Sequence, residues 1–233
     1  TVDGSRSAAN DDDCGLVYSD LQVALEKLKA NPIYTDTETG NLLQAVVINV
    51  SQFDNTAGEA GRGNYVGGKY LENGEVKSGK TYAVCGGDNG STRDLRVLAI
   101  EKFNYNEDAE TYDPEHTLTI QANNGDKPRI EHILIRNSRN IILKGLNILS
   151  NNDGTTKDTA LEMDAGFAGG DWGTVTIENG IKDANIIVKD CSIGSNGFTG
   201  VHVNSYSGLT FENNTFNLSV EDYGENARDY GSS

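Results

Sequence analysis

The sequence predicts an all-β solenoid made of turns of three short strands, and three observations carry that expectation. First, apolar strands recur in a fixed order. Ile133-Leu134-Ile135-Arg136, Ile141-Ile142-Leu143 and Leu146-Asn147-Ile148 reappear, at a shared offset of 68, as Val201-His202-Val203-Asn204, Leu209-Thr210-Phe211 and Asn214-Thr215-Phe216. Second, a middle copy fits between them: Leu161-Glu162-Met163-Asp164, Ile186-Ile187-Val188 and Cys191-Ser192-Ile193, with 23 residues from Ile186 to Leu209. Third, 27 Gly and 25 Asn against 3 Pro in 233 residues make the chain dense in turns. A single turn of about 23 residues cannot bury its own inner face, whereas stacked turns share one core.

The elements follow in order. Ser19 and Gln22 form a capping box, and Leu21, Leu25 and Leu28 recur at helical spacing through Ala30, so a capping helix is expected within 15–31. Asn31-Pro32 stops it. Short β-rich runs follow at 42–50, 80–85, 96–100 and 117–122, the decorated N-terminal turns of 42–122. The polar stretches 52–80 and 101–116 read as long rim loops. Regular turns occupy 129–219, and the polar residues 220–233 read as a tail, all within one domain spanning 1–233. Each strand alternates apolar inward and polar outward residues, as in Ile133/Ile135, Leu161/Met163 and Val201/Val203. Gly and Asn at the corners accept left-handed backbone cheaply. The middle turn runs 25 residues from first to second strand (161 to 186), against 8 in the flanking copies, so an insertion is expected between them. An antiparallel sandwich also has short strands, but gives no reason for three strands to repeat with one offset.

A net charge of −16 argues against phosphate-driven nucleic-acid binding and against an anionic membrane surface. No apolar run approaches the roughly 20 residues of a membrane span. Cys14, Cys85 and Cys191 have no zinc-like spacing, at most one disulfide is possible, and Cys191 falls at a core position. The acidic, Asn/Gly/Thr-rich composition points to a secreted or cell-surface protein. Sequons begin at Asn49, Asn89, Asn213 and Asn217.

The run from Ile133 to Ile148 (ILIRNSRNIILKGLNI), with Gly208-Leu-Thr-Phe-Glu-Asn-Asn-Thr-Phe-Asn217, resembles the right-handed parallel β-helix of pectate-lyase-like proteins. An amphipathic helix before the first β run is similar to the N-terminal cap of that fold. The resemblance implies a three-strand right-handed solenoid, found among polysaccharide lyases, glycoside hydrolases and adhesins. It does not imply one activity.

On this assignment the first strands turn outward Leu134/Arg136, Glu162/Asp164 and His202/Asn204, on turns about 4.8 Å apart. This array has the chemistry to hold a divalent cation, position a uronate or form an acid/base pair. For a lyase, the resemblance implies a cation that neutralises the uronate carboxylate while a basic residue removes the C5 proton. Arg136 and His202 are then the catalytic candidates, Glu162 and Asp164 the metal candidates for Ca²⁺, and Asn204 a further oxygen ligand or substrate contact. Trp172 and Asp171, in a Gly-rich stretch, are the other substrate-binding candidates, with Trp172 suited to stacking on a sugar ring. Asp11–Asp13, Asp36–Gly40 and Asn151–Gly154 carry oxygens in turn-like sequences without EF-hand spacing.

Gly200-Val-His202-Val departs from the Gly-His-Gly motif of hydrolases with this fold, and no adjacent Asp pair lies on these strands. The expected function is therefore an extracellular or cell-surface β-helix that binds glycans or serves as an adhesin-like scaffold. The alternative is a cation-assisted lyase or hydrolase acting on an acidic polysaccharide. An uncapped solenoid end is an open sheet edge, so self-association through solenoid ends is also expected.

Overall fold

The structure, a computed structural model, describes residues 1–3, 11–18, 20–51, 70–72, 75–77, 97–105, 113–126, 128–130, 132–149, 173–179, 181–195, 199–205 and 207–218. The described chain is mostly β with little helix. After β1 (Val2–Asp3) comes α1 (Leu21–Ala30), whose Leu21, Leu25 and Leu28 are buried as their spacing predicts. Its cap is Asp20 rather than Ser19. The Asp20 carboxylate accepts from the Gln22 and Val23 backbone N–H groups at 2.7 and 3.1 Å. An acidic cap also suits the positive end of the helix dipole. Lys27 and Lys29 occupy the last turn, and Asn31 is the C-cap.

The strands then follow as β2 (Val46–Ser51), β3 (Tyr70–Glu72), β4 (Glu75–Lys77), β5 (Val97–Glu101), β6 (Leu118–Ala122), β7 (Arg129–Ile130) and β8 (His132–Arg136). After them come β9 (Ile141–Lys144), β10 (Asn147–Leu149), β11 (Gly173–Asn179), β12 (Ile186–Lys189), β13 (Ser192–Ser195), β14 (Thr199–Ser205), β15 (Leu209–Glu212) and β16 (Thr215–Leu218). Within the stretch read as a loop at 52–80, β3 and β4 pair antiparallel. The expected run at 80–85 lies outside the described residues. Every other strand falls into one of three sheets, all paired in parallel: β1-β2-β6-β9-β12-β15, β16-β13-β10-β7 and β14-β11-β8-β5.

The registers reproduce the repeat. Ile141 pairs with Ile186 and Ile186 with Leu209, while Ile148 pairs with Ile193 and Ile193 with Phe216. The first strands differ from expectation in one place. The partner of both β8 and β14 is β11, with Val175 aligned on Ile133 and on Val201. Val175 and Ile177 therefore occupy the inward positions assigned to Leu161 and Met163, residues that lie outside those described. The insertion accordingly precedes the middle first strand, across 150–172, instead of following it.

One core of buried side chains joins the sheets and α1, including Leu25, Leu98, Ile100, Ile120, Ile135, Leu143, Ile148, Ile177, Val188 and Ile193. Cys191 is 2% exposed within it, as its position predicts. The corners are built from residues with left-handed backbone. Asn140, Asn185 and Gly208 (φ 55°, 52° and 83°) each precede a strand of the largest sheet. Gly145, Asp190 and Asn213 (φ 70°, 55° and 53°) each follow one. Asn and Asp tolerate this region better than other side chains. At Gly208 there is also no room for a side chain, since a Cβ would stand 2.5 Å from the Ala184 nitrogen.

Candidate functional site

Strict alternation in β5, β8, β11 and β14 creates two outward rows across the sheet β14-β11-β8-β5. In one row Ala99, Leu134, Thr176 and His202 are in register; in the other, Glu101, Arg136, Glu178 and Asn204. The first row is not an open surface. Leu134 and Thr176 have no exposed area, and Ala99 is 3% exposed. Leu134, expected to be exposed, is thus buried on the side of its strand away from the core cluster. His202 is partly exposed.

The second row is polar, with Glu101, Arg136 and Glu178 half-buried and Asn204 exposed. Arg136 lies between two carboxylates contributed by the strands on either side. Its Nε and one terminal nitrogen donate to Glu178 Oε2 at 3.0 and 2.7 Å. The other terminal nitrogen reaches Glu101 Oε1 at 3.4 Å. All three side chains keep between 23% and 29% of their surface exposed. A planar guanidinium suits this arrangement because its donors point outward in a fixed fork. The chain behind the row is anchored too. Lys29 of α1 donates to the Glu101 carbonyl and stands 4.8 Å from the centre of the Phe103 ring.

Of the residues expected at the site, Arg136, His202 and Asn204 share this sheet. Arg136 and Asn204 are separated by Glu178 in the register, so they are not neighbours. Glu162, Asp164, Asp171 and Trp172 lie outside the described residues. Glu101 and Glu178 were absent from the expected set, and both hold outward positions in register with Arg136. Chemically, the row offers carboxylate acceptors and guanidinium donors along a line. The guanidinium stands where a cation bound between Glu101 and Glu178 would sit, so these two carboxylates do not form a metal cradle. Among the described residues, no group of three or more His, Cys, Asp or Glu gathers in the manner of metal ligands.

The clusters at 11–13 and 36–40 prove to be parts of turns, while Asn151–Gly154 lies outside the described residues. Asp12 accepts from the Cys14 N–H at 3.0 Å, Asp13 pairs with Lys27 at 2.8 Å, and Asp36 accepts from the N–H groups of Glu38 and Thr39. Lys27 beside Asp13 holds its carboxyl below the usual range. His116 has both ring nitrogens engaged, one 2.9 Å from the Leu42 carbonyl and the other 3.4 Å from Asp113. Cys14 and Cys191 are both free thiols. No described helix is long and apolar enough to cross a membrane.

No protein-family model, curated protein or solved structure matches the chain. The described structure defines a mostly β protein built on parallel sheets.

Proposed function

We propose that the three parallel sheets are the faces of a right-handed parallel β-helix of the pectate-lyase-like kind, secreted or displayed at a cell surface. In this reading it binds glycans or serves as an adhesin-like scaffold. The observation that carries the binding reading is Arg136, whose guanidinium is engaged by Glu101 and Glu178. An arginine in this setting is a fixed charge that orients hydroxyl groups, and is poorly placed to remove a proton. A linear row of carboxylates and a guanidinium, rising about 4.8 Å per strand, supports bidentate contacts to successive sugar hydroxyls. The net charge of −16 repels polyanions, which favours neutral glycans over the acidic polysaccharide of a lyase substrate.

The test is a glycan array read beside a product assay, with Ca²⁺ and with chelator. The expected result is retention of neutral glycans, weakened in Arg136→Ala and Glu178→Gln, with neither unsaturated uronate nor new reducing ends. Calcium-dependent unsaturated product abolished by Arg136→Ala would replace the binding reading with a lyase.

A further inference from the structure

We propose that two copies of this chain join like end to like end through β14, β15 and β16. This rests on the stacked-turn architecture but not on glycan recognition. Each of the three strands is the last in its sheet, so together they form a single edge of unpaired backbone among the described residues. The core also stops short there. Val203, Phe211 and Phe216 are 42%, 37% and 53% exposed, whereas their register partners Ile177, Val188 and Ile193 are buried. Apolar residues of such size at an open edge are a docking surface rather than a finished boundary.

A second copy is the occupant that fits best, for two reasons. The opposite end is already closed: Gln22 of α1 bonds both backbone groups of Ala99 on edge strand β5, and Val2 and Ile130 on the other two edges have no exposed area. A head-to-tail chain of copies therefore lacks its second surface, and pairing of like ends closes as a twofold dimer. Charge permits the approach. Across β14, β15 and β16, Glu212 is the single Asp, Glu, Lys or Arg, in a chain of net charge −16. Two acidic molecules therefore meet few like charges on these three strands.

Sedimentation velocity over a concentration series tests this on the full chain. The expected result is a reversible equilibrium between the 25.0 kDa chain and a species of twice that mass. Phe216→Asp and Val203→Asp should each weaken it by about thirtyfold or more. Val47→Asp, on a strand elsewhere and 53% exposed, should leave it unchanged. Phe216→Ser keeps the comparison available if an Asp variant fails to fold. Hydrogen exchange of β14, β15 and β16 should slow as the dimer fills. A monomer at every concentration, a dimer indifferent to these variants, or growth into longer polymers would each overturn the proposal. So would a monomer that dimerises only when 219–233 are removed, because the occupant would then be the chain itself. Glycan retention is read separately, so its failure leaves this result standing.

Discussion

The side chain of Gln22 completes the hydrogen bonding of Ala99 in both directions, accepting from its N–H at 2.9 Å and donating to its carbonyl at 3.3 Å. Gln22 is 5% exposed, and Ala99 lies on β5, the last strand of its sheet. A primary amide thus imitates the next strand at the point where the sheet ends. Replacing Gln22 by Leu strands two buried backbone groups, at about 1–3 kcal/mol each. The expected loss is about 3 kcal/mol, read as a lower urea midpoint with unchanged slope.

The Glu101–Arg136–Glu178 row should behave as a coupled unit of modest energy. Its members keep about a quarter of their surface in water, so solvent screens the attraction. A double-mutant cycle with Arg136→Met and Glu178→Gln should give a coupling of about 1 kcal/mol, smaller in high salt. A coupling indistinguishable from zero would mean that the pair does not persist in solution.

Asn185 separates backbone from side-chain effects. Its φ is 52°, and its Nδ2 donates to Asn140 Oδ1 at 3.0 Å on the neighbouring corner. Asn185→Gly removes the ladder bond, at about 1 kcal/mol, and in return frees the left-handed backbone of a Cβ. Asn185→Ala loses the same bond and keeps a Cβ in left-handed backbone without the tolerance that Asn has there, adding about 1 kcal/mol. Thermal unfolding should therefore rank wild type above Gly, and Gly above Ala; equal losses would show that the side-chain bond alone matters.

The two described thiols should react very differently. Burial pushes the Cys191 thiol above its ordinary 9.0, while Cys14 is exposed. Iodoacetamide at pH 8 should label Cys14 readily and Cys191 only after unfolding. Because the folded thiol holds its proton more tightly than the unfolded one, this contribution to stability is complete below pH 9.0. It is lost as pH rises above that value toward the higher folded pKa. Peptide mapping after labelling would check the first claim, and unfolding between pH 8 and 11 the second.

Much of the architecture was legible because a strand buried on one face must alternate, and a stacked strand must repeat. The Ile186 to Leu209 spacing became a pairing register without adjustment. The middle first strand was missed because Leu161/Met163 alternates as well as Val175/Ile177 does; alternation alone cannot choose between them. Corner length could have chosen. From Val175 to Ile186 is 11 residues, close to the 8 from Ile133 to Ile141, whereas from Leu161 it is 25. With Val175 in place, Glu178 falls beside Arg136, and the same alignment through β5 adds Glu101. The helix cap was ambiguous for a different reason: Ser19 and Asp20 are both good caps, and only geometry separates them.

The shared register has a further consequence for how such a chain changes length. Ile186 lies between Ile141 and Leu209 on one line, and Ile193 lies between Ile148 and Phe216 on another. Excising 186–208 would bring Leu209 onto Ile141 and Phe216 onto Ile148 with every side chain still facing its own side. Losing one residue fewer would turn the faces over. The fold is therefore quantised: evolution or design can shorten or extend it by whole rungs, while single-residue insertions are confined to the corners.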